Sequence, residues 1–175
     1  LLFETIGLAD MISAHNYFER PILRDSMAAG RVLQQMIRAL DVAIDEAVDS
    51  TLGVHPRAHR ELGELPPVEK RPGIALDEWN VWYRTGHDPM HDAEEVYDYT
   101  DALTVASLMH VILRNTARLD LANISLAVNM IGVLRTDSER CVRQTIWYPQ
   151  KMLQDAHSGR VVQSVVDGPV FSAKH

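Results

Sequence analysis

Apolar positions recur along the chain in two different periods. Over 26–50, Leu33, Met36, Ile37, Leu40, Ile44, Ala47 and Val48 fall at steps of three and four, while Arg31, Gln34, Arg38, Asp41, Asp45 and Asp49 fill the other side. That spacing predicts an amphipathic helix whose charges form a solvated face. Asp25 or Ser26 is placed to cap its start, and Gly53 to stop it. A second helix is expected from Thr100, as its cap, to about Thr116, with Ala102, Val105, Ala106, Met109, Ile112 and Leu113 on one face. Val111 adds apolar surface elsewhere on it, so this helix should be well buried.

Strands are expected at 10–17, 73–77 and 119–125. The middle one, Gly73-Ile74-Ala75-Leu76, is a short apolar run between Pro72 and the acidic pair Asp77-Glu78, as in a buried parallel strand that ends abruptly in polar groups. The last, Leu119 to Ser125, alternates apolar and polar residues. A short helix follows near 151–157, and 161–171 again alternates loosely.

Composition narrows the partners. Seventeen basic against 24 acidic residues give a net charge of −7, the wrong sign for a phosphate backbone, so nucleic acid is not expected. No apolar run is long enough to span a membrane, and no signal peptide is expected. The expected absence of a signal peptide leans the location slightly toward the cytoplasm, and the single cysteine, Cys141, which cannot form an internal disulfide, is compatible with a reducing interior. His55 and His59, and His87 and His91, are each four apart, but Pro56 and Pro89 break the helical geometry a ligand pair would need. Metal binding is therefore not expected, and the polar loop at 87–92 is either a substrate contact or simply solvated.

Chemistry concentrates at the ends of the first two strands. Asp77 and Glu78 at a strand exit, followed by Trp79 and Trp82, suggest a sugar site, because aromatic faces cover the apolar faces of a sugar ring and a carboxylate can attack its anomeric carbon. The alternative is a plain strand end with packing tryptophans, and pattern alone does not choose. His15-Asn16-Tyr17 repeats the arrangement, and His15 taken alone reads as a hydrogen-bonded core histidine.

Leu76-Asp77-Glu78-Trp79-Asn80-Val81-Trp82-Tyr83 resembles the nucleophile segment of the α-L-arabinofuranosidases of glycoside hydrolase family 51, and His15-Asn16-Tyr17 resembles their His-Gln-Tyr segment with Asn16 replacing Gln. Val128-Asn129 and Gln144-Thr145-Ile146-Trp147-Tyr148-Pro149 match the family as well. The resemblance implies an α/β chain that is part of a (β/α)8 TIM barrel, its last three strands with their helices in 1–158, leading into a C-terminal β-sandwich that begins in 159–175. A whole barrel needs about 250 residues, so 175 are expected to be a piece.

The resemblance further implies retaining hydrolysis with Glu78 as nucleophile, Tyr17 hydrogen-bonded to it, and His15 and Trp82 in the sugar pocket. No metal or organic cofactor is implied. The acid/base would be the Glu of an Asn-Glu pair at the end of strand four, outside this chain, so the 175 residues alone should be inactive; Glu94 and Glu95, read as an exposed acidic run, do not replace it. The implied partner is an arabinose-containing oligo- or polysaccharide such as arabinan or arabinoxylan, and the complete protein is expected to be a homo-oligomer. One position departs from the family: Leu126 stands where a pocket Gln is usual. It keeps open a related β-xylosidase or endoglucanase; a third reading, a non-catalytic carbohydrate-binding relative, would lack the upstream Asn-Glu pair.

Overall fold

The computed structural model describes residues 2, 6–19, 28–52, 71–83, 94–157, 159, 162, 164–170 and 172. A 3-10 turn at Ile6–Leu8 leads into β1 (Met11–Phe18), followed in order by α1 (Ala29–Leu52), β2 (Gly73–Val81), α2 (Tyr99–Arg114) and β3 (Leu119–Ile124). A short hairpin, β4 (Leu134–Thr136) with β5 (Cys141–Arg143), and α3 (Trp147–Ala156) complete it. β1, β2 and β3 pair in that order, all parallel, so the chain is mixed α/β with two successive strand-helix-strand units.

One face of this sheet carries the core. Phe18, Ile74, Leu76, Trp79, Val81 and Leu119 pack in one cluster with Leu33, Ile37 and Ile44 of α1 and Val105, Leu108 and Val111 of α2. The two helices lie close because Gly30 has no side chain: a Cβ there would come within 2.5 Å of Ser107 Oγ. Gln34 and Asn115 exchange amide hydrogen bonds of 3.1 and 2.9 Å across the same contact. Asp41 and Asp45 are not simply a solvated face of α1. Arg71, just before β2, pairs with both, and Arg118, just before β3, lies 3.3 Å from Asp41, so these carboxylates tie the helix to the starts of two strands.

Several boundaries differ from expectation. The cap of α2 is Asp98, not Thr100. Its side chain accepts from the backbone of Thr100 and Asp101, while Asp101 accepts from the Asp98 N–H at 2.7 Å, a reciprocal capping box that places Thr100 inside the first turn. α3 begins four residues before the expected 151. The hairpin was not expected, since three-residue strands are too short to show a period. The alternating stretch at 161–171 forms no strand among its described residues, and those residues are exposed; alternation becomes a strand only where a second strand completes its hydrogen bonds. The caps proposed at Asp25, Ser26 and Gly53, and the histidines at 55, 59, 87 and 91, lie outside the described residues. Among the described residues no helix is long and apolar enough to cross a membrane.

Candidate active site

β2 does not stop at residue 77. It runs on to Val81, and Asp77 and Glu78 sit inside it at an irregularity. Between Ala75 and Glu78 the strand advances three residues while β1 advances two, from Ser13 to His15; between Leu76 and Trp79 it again advances three while β3 advances two, from Ala122 to Ile124. The central strand thus bulges by one residue against β1, and against β3 it recovers the residue that β3 gained between Leu119 and Leu121, opposite Ile74 and Ala75. In a regular strand consecutive side chains point to opposite faces, which would drive one of these carboxylates into the apolar core at severe desolvation cost. The bulge re-aims the chain so that both reach His15 on the open face. Gly73, Asp77 and Glu78 are the residues of β2 that are not buried.

The surrounding groups come from all three strands. Tyr17 Oη donates to Glu78 Oε2 at 2.5 Å and lies 2.7 Å from Ser125 Oγ. An ionised carboxylate only accepts, so the phenol proton goes to Glu78 and Ser125 donates to the phenol. His15 places Nδ1 3.4 Å from Glu78 Oε2 and Nε2 3.1 Å from Asp77 Oδ1. Ser13 Oγ donates to both Asp77 oxygens, at 3.0 and 2.9 Å. Partial desolvation pulls the Asp77 carboxyl upward, but Ser13, the residue's own backbone N–H and His15 outweigh it and hold Asp77 below the usual carboxylate range.

The two tryptophans separate. Trp79 is buried in the helix-facing core, so it is a packing residue and not a sugar platform. Trp82, just past the strand, meets Tyr17 edge to face with centroids 5.4 Å apart, beside the carboxylates. His15 is half exposed on the open face and is not a core histidine.

The loop after β3 is fixed by polar groups from the matched segments, to which the sequence pattern gives no role. Asn80, fully buried, donates to the Ile131 carbonyl at 2.6 Å. Gln144 donates to the carbonyls of Gly132 and Glu95 at 2.9 and 3.1 Å and accepts from Tyr97 N. Asn129, with φ 61°, accepts from Thr136 N at 2.7 Å. Asn80, Asn129 and Gln144 all stand in the matched segments, but a neutral polar residue carries no periodic signal of the carbonyl or amide it will meet. Leu126, with φ 52°, is half exposed at the start of this loop, immediately after Ser125. Glu95, expected in an exposed run, is 4% exposed and accepts from Tyr83 N at 2.9 Å. Tyr97 donates to the Val81 carbonyl at 2.7 Å, and burial, with Glu95 and Asp101 nearby, pushes its hydroxyl well above the ordinary range.

Chemically, Glu78 is a part-exposed carboxylate that a phenol orients and an aromatic ring flanks, an arrangement able to attack an electrophilic carbon. A general acid must start protonated, which Asp77 with its lowered pKa does not, and Glu95 is sealed under Tyr83. Among the described residues, no group of three or more His, Cys, Asp or Glu is gathered as a metal site would require.

The sequence profile of the α-L-arabinofuranosidase C-terminal domain matches residues 77–175. An α-L-arabinofuranosidase C of Emericella nidulans is 32% identical over 133 residues, covering 76% of this chain and 26% of the relative. An intracellular exo-α-(1→5)-L-arabinofuranosidase of Halalkalibacterium halodurans is 26% identical over 184 residues, covering 99% of this chain and 34% of its own. Among solved structures, the family 51 α-L-arabinofuranosidase AbfB of Bifidobacterium longum superposes with a TM-score of 0.70 at 25% identity, over 87% of this chain and 31% of that one. The chain thus spans about a quarter to a third of the length of these relatives.

Proposed function

This chain belongs to the α-L-arabinofuranosidase C-terminal domain family, within glycoside hydrolase family 51, and on that footing we propose that the complete protein releases terminal α-L-arabinofuranosyl residues by retaining hydrolysis with Glu78 as nucleophile. The carrying observation is the position of Glu78 on the open face of the sheet, at a bulge, with Tyr17 donating to it at 2.5 Å. Tyr17 and His15 both meet Oε2, which leaves Oε1 to form the bond to the anomeric carbon. As that bond forms, the glycosidic C–O bond breaks and the leaving oxygen takes a proton from a second carboxyl, which in retaining enzymes stands about 5–5.5 Å from the nucleophile. That carboxyl is assigned outside the described residues. Water, activated by the same group, then cleaves the ester and restores Glu78.

In this reading β1, β2 and β3 are the last three strands of a (β/α)8 barrel, 1–158 belong to the barrel and 159–175 open a β-sandwich. The parallel order β1-β2-β3, with helices over one face and chemistry on the other, supports it. His15 and Trp82 line the sugar pocket, arabinose-containing oligo- or polysaccharides are the substrates, and the complete protein is a homo-oligomer. Leu126, apolar and half exposed beside Ser125, favours one second reading, a related glycosidase with another sugar preference such as a β-xylosidase or endoglucanase.

The test is chemical rescue. Glu78→Ala in the complete protein should abolish turnover of an aryl α-L-arabinofuranoside, and azide should restore it while yielding a glycosyl azide of inverted configuration. Full activity in the variant without azide would overturn the assignment.

A further inference from the structure

We propose that Asp77 is a positioning residue for the nucleophile: held by Ser13, it fixes the His15 imidazole, and through that ring the Glu78 carboxylate, in the attacking arrangement. The inference rests on the reading of Glu78 as nucleophile.

The bulge in β2 is the first observation. It brings the carboxylates of two consecutive residues to one imidazole, with Asp77 Oδ1 3.1 Å from Nε2 and Glu78 Oε2 3.4 Å from Nδ1. If the bulge served Glu78 alone, Asp77 would need no partner there. Instead it has two, because Ser13, two residues before His15 on β1, shares its single proton between both Asp77 oxygens. Ser13 and His15 lie on the same face of the strand, so Asp77 is gripped from two successive rungs.

The donor inventory supplies the second observation. Both ring nitrogens face carboxylate oxygens, and ionised carboxylates only accept. A ring with one proton satisfies one contact and turns a lone pair on the other; the doubly protonated ring satisfies both. The ring thus stands between two carboxylates, and Asp77 is the one that anchors it on the side away from Glu78. With Asp77 neutral or absent, the ring is free to turn about its side-chain bonds. Glu78 then keeps Tyr17 but loses the contact that holds Oε2 from the other side.

The test is a cycle in the complete protein, with turnover of an aryl α-L-arabinofuranoside as readout. Asp77→Asn should lower kcat/KM by roughly 10–100-fold, with the loss in kcat and KM within about threefold of wild type. The double variant Asp77→Asn/His15→Gln should lose no more than the more impaired single variant, since Asp77 acts through His15. Wild-type kcat in Asp77→Asn, or losses that simply multiply in the double variant, would overturn the proposal. Should Asp77→Asn lose its fold by circular dichroism, Ser13→Ala with and without His15→Gln gives the same cycle: a smaller loss that vanishes in the His15→Gln background supports the proposal, and none, or one that persists there, overturns it. Activity retained in Glu78→Gln would instead remove the nucleophile assignment itself, an outcome distinct from either.

Discussion

The two faces of the three-stranded sheet are built from the same strands to opposite ends. Toward the helices, Ile74, Leu76, Val81 and Leu119 are sealed against α1 and α2, and Leu76 and Ile74 have no exposed surface at all. On the other face Ser13, His15, Tyr17, Asp77 and Glu78 carry hydrogen bonds and ion pairs while staying partly open to solvent. A strand's twofold alternation makes this division available at every residue, and a single extra residue in β2 shifts it locally, so that two neighbouring acids both serve the open face. On the proposed function, stability and chemistry are therefore carried by different atoms of one strand.

Substitutions on the open face should then cost activity with little change in stability, and those on the covered face the reverse. The largest effect belongs to Glu78→Gln in the complete protein, which keeps the acceptor for Tyr17 but removes the nucleophilic charge. Turnover of an aryl arabinofuranoside should fall on the order of 10⁴-fold, with the melting temperature nearly unchanged. A large drop in melting temperature would show that the two faces are not separable at this residue. Leu76→Ala, two positions earlier, is the counterpart. Its side chain is wholly buried, so the cavity should cost about 2–5 kcal/mol of stability, read by denaturant unfolding, while kcat per folded molecule stays close to wild type.

The same division explains what could be read in the chain beforehand. The helix over α1 was legible because its apolar stripe repeats for several turns, and the three strands because each is an apolar or alternating run of the right length. The true end of β2 was not. Asp77-Glu78 reads as a strand terminus because a polar pair normally marks one, and only backbone pairing shows the strand passing through a bulge to Val81. Tyr17 and Glu78 were singled out from motif resemblance, and the structure brings them together. Ser13 and Gln144 are small or neutral polar residues without a period to mark them; Ser13 meets an acid 64 residues away, and Gln144 joins carbonyls 12 and 49 residues away.

Tyr17→Phe asks how much of the open face's work lies in orientation alone. The ring still fills its place against Trp82, but the hydroxyl between Ser125 and Glu78 is gone. A lost hydrogen bond to a charged group is worth about 1.5–3 kcal/mol, so kcat/KM should fall roughly 10–100-fold, well short of the loss in Glu78→Gln. Parity between the two variants would mean that the phenol does more than orient.

The smallest effect, and the one that probes the edge of the open face, is at Leu126. It follows Ser125, which already serves Tyr17, and it is held at φ 52° with about half its surface in solvent. A leucine at that place offers a substrate hydroxyl neither donor nor acceptor, and an apolar wall selects weakly between sugars, whereas a site built to pair a hydroxyl rejects analogues that lack it. Leu126→Gln would supply both groups. Because the position is half exposed, water already competes for the same hydroxyls, and the net gain should be about 1 kcal/mol, a few-fold in kcat/KM on simple arabinofuranosides. The left-handed backbone disfavours either residue to a similar degree, so stability should move little. Kinetics of wild type and variant on arabinofuranosides and xylosides decide the matter. A gain confined to arabinofuranosides supports an arabinose pocket missing one contact; a loss on arabinofuranosides with a folded variant would favour a pocket whose apolar wall suits another sugar.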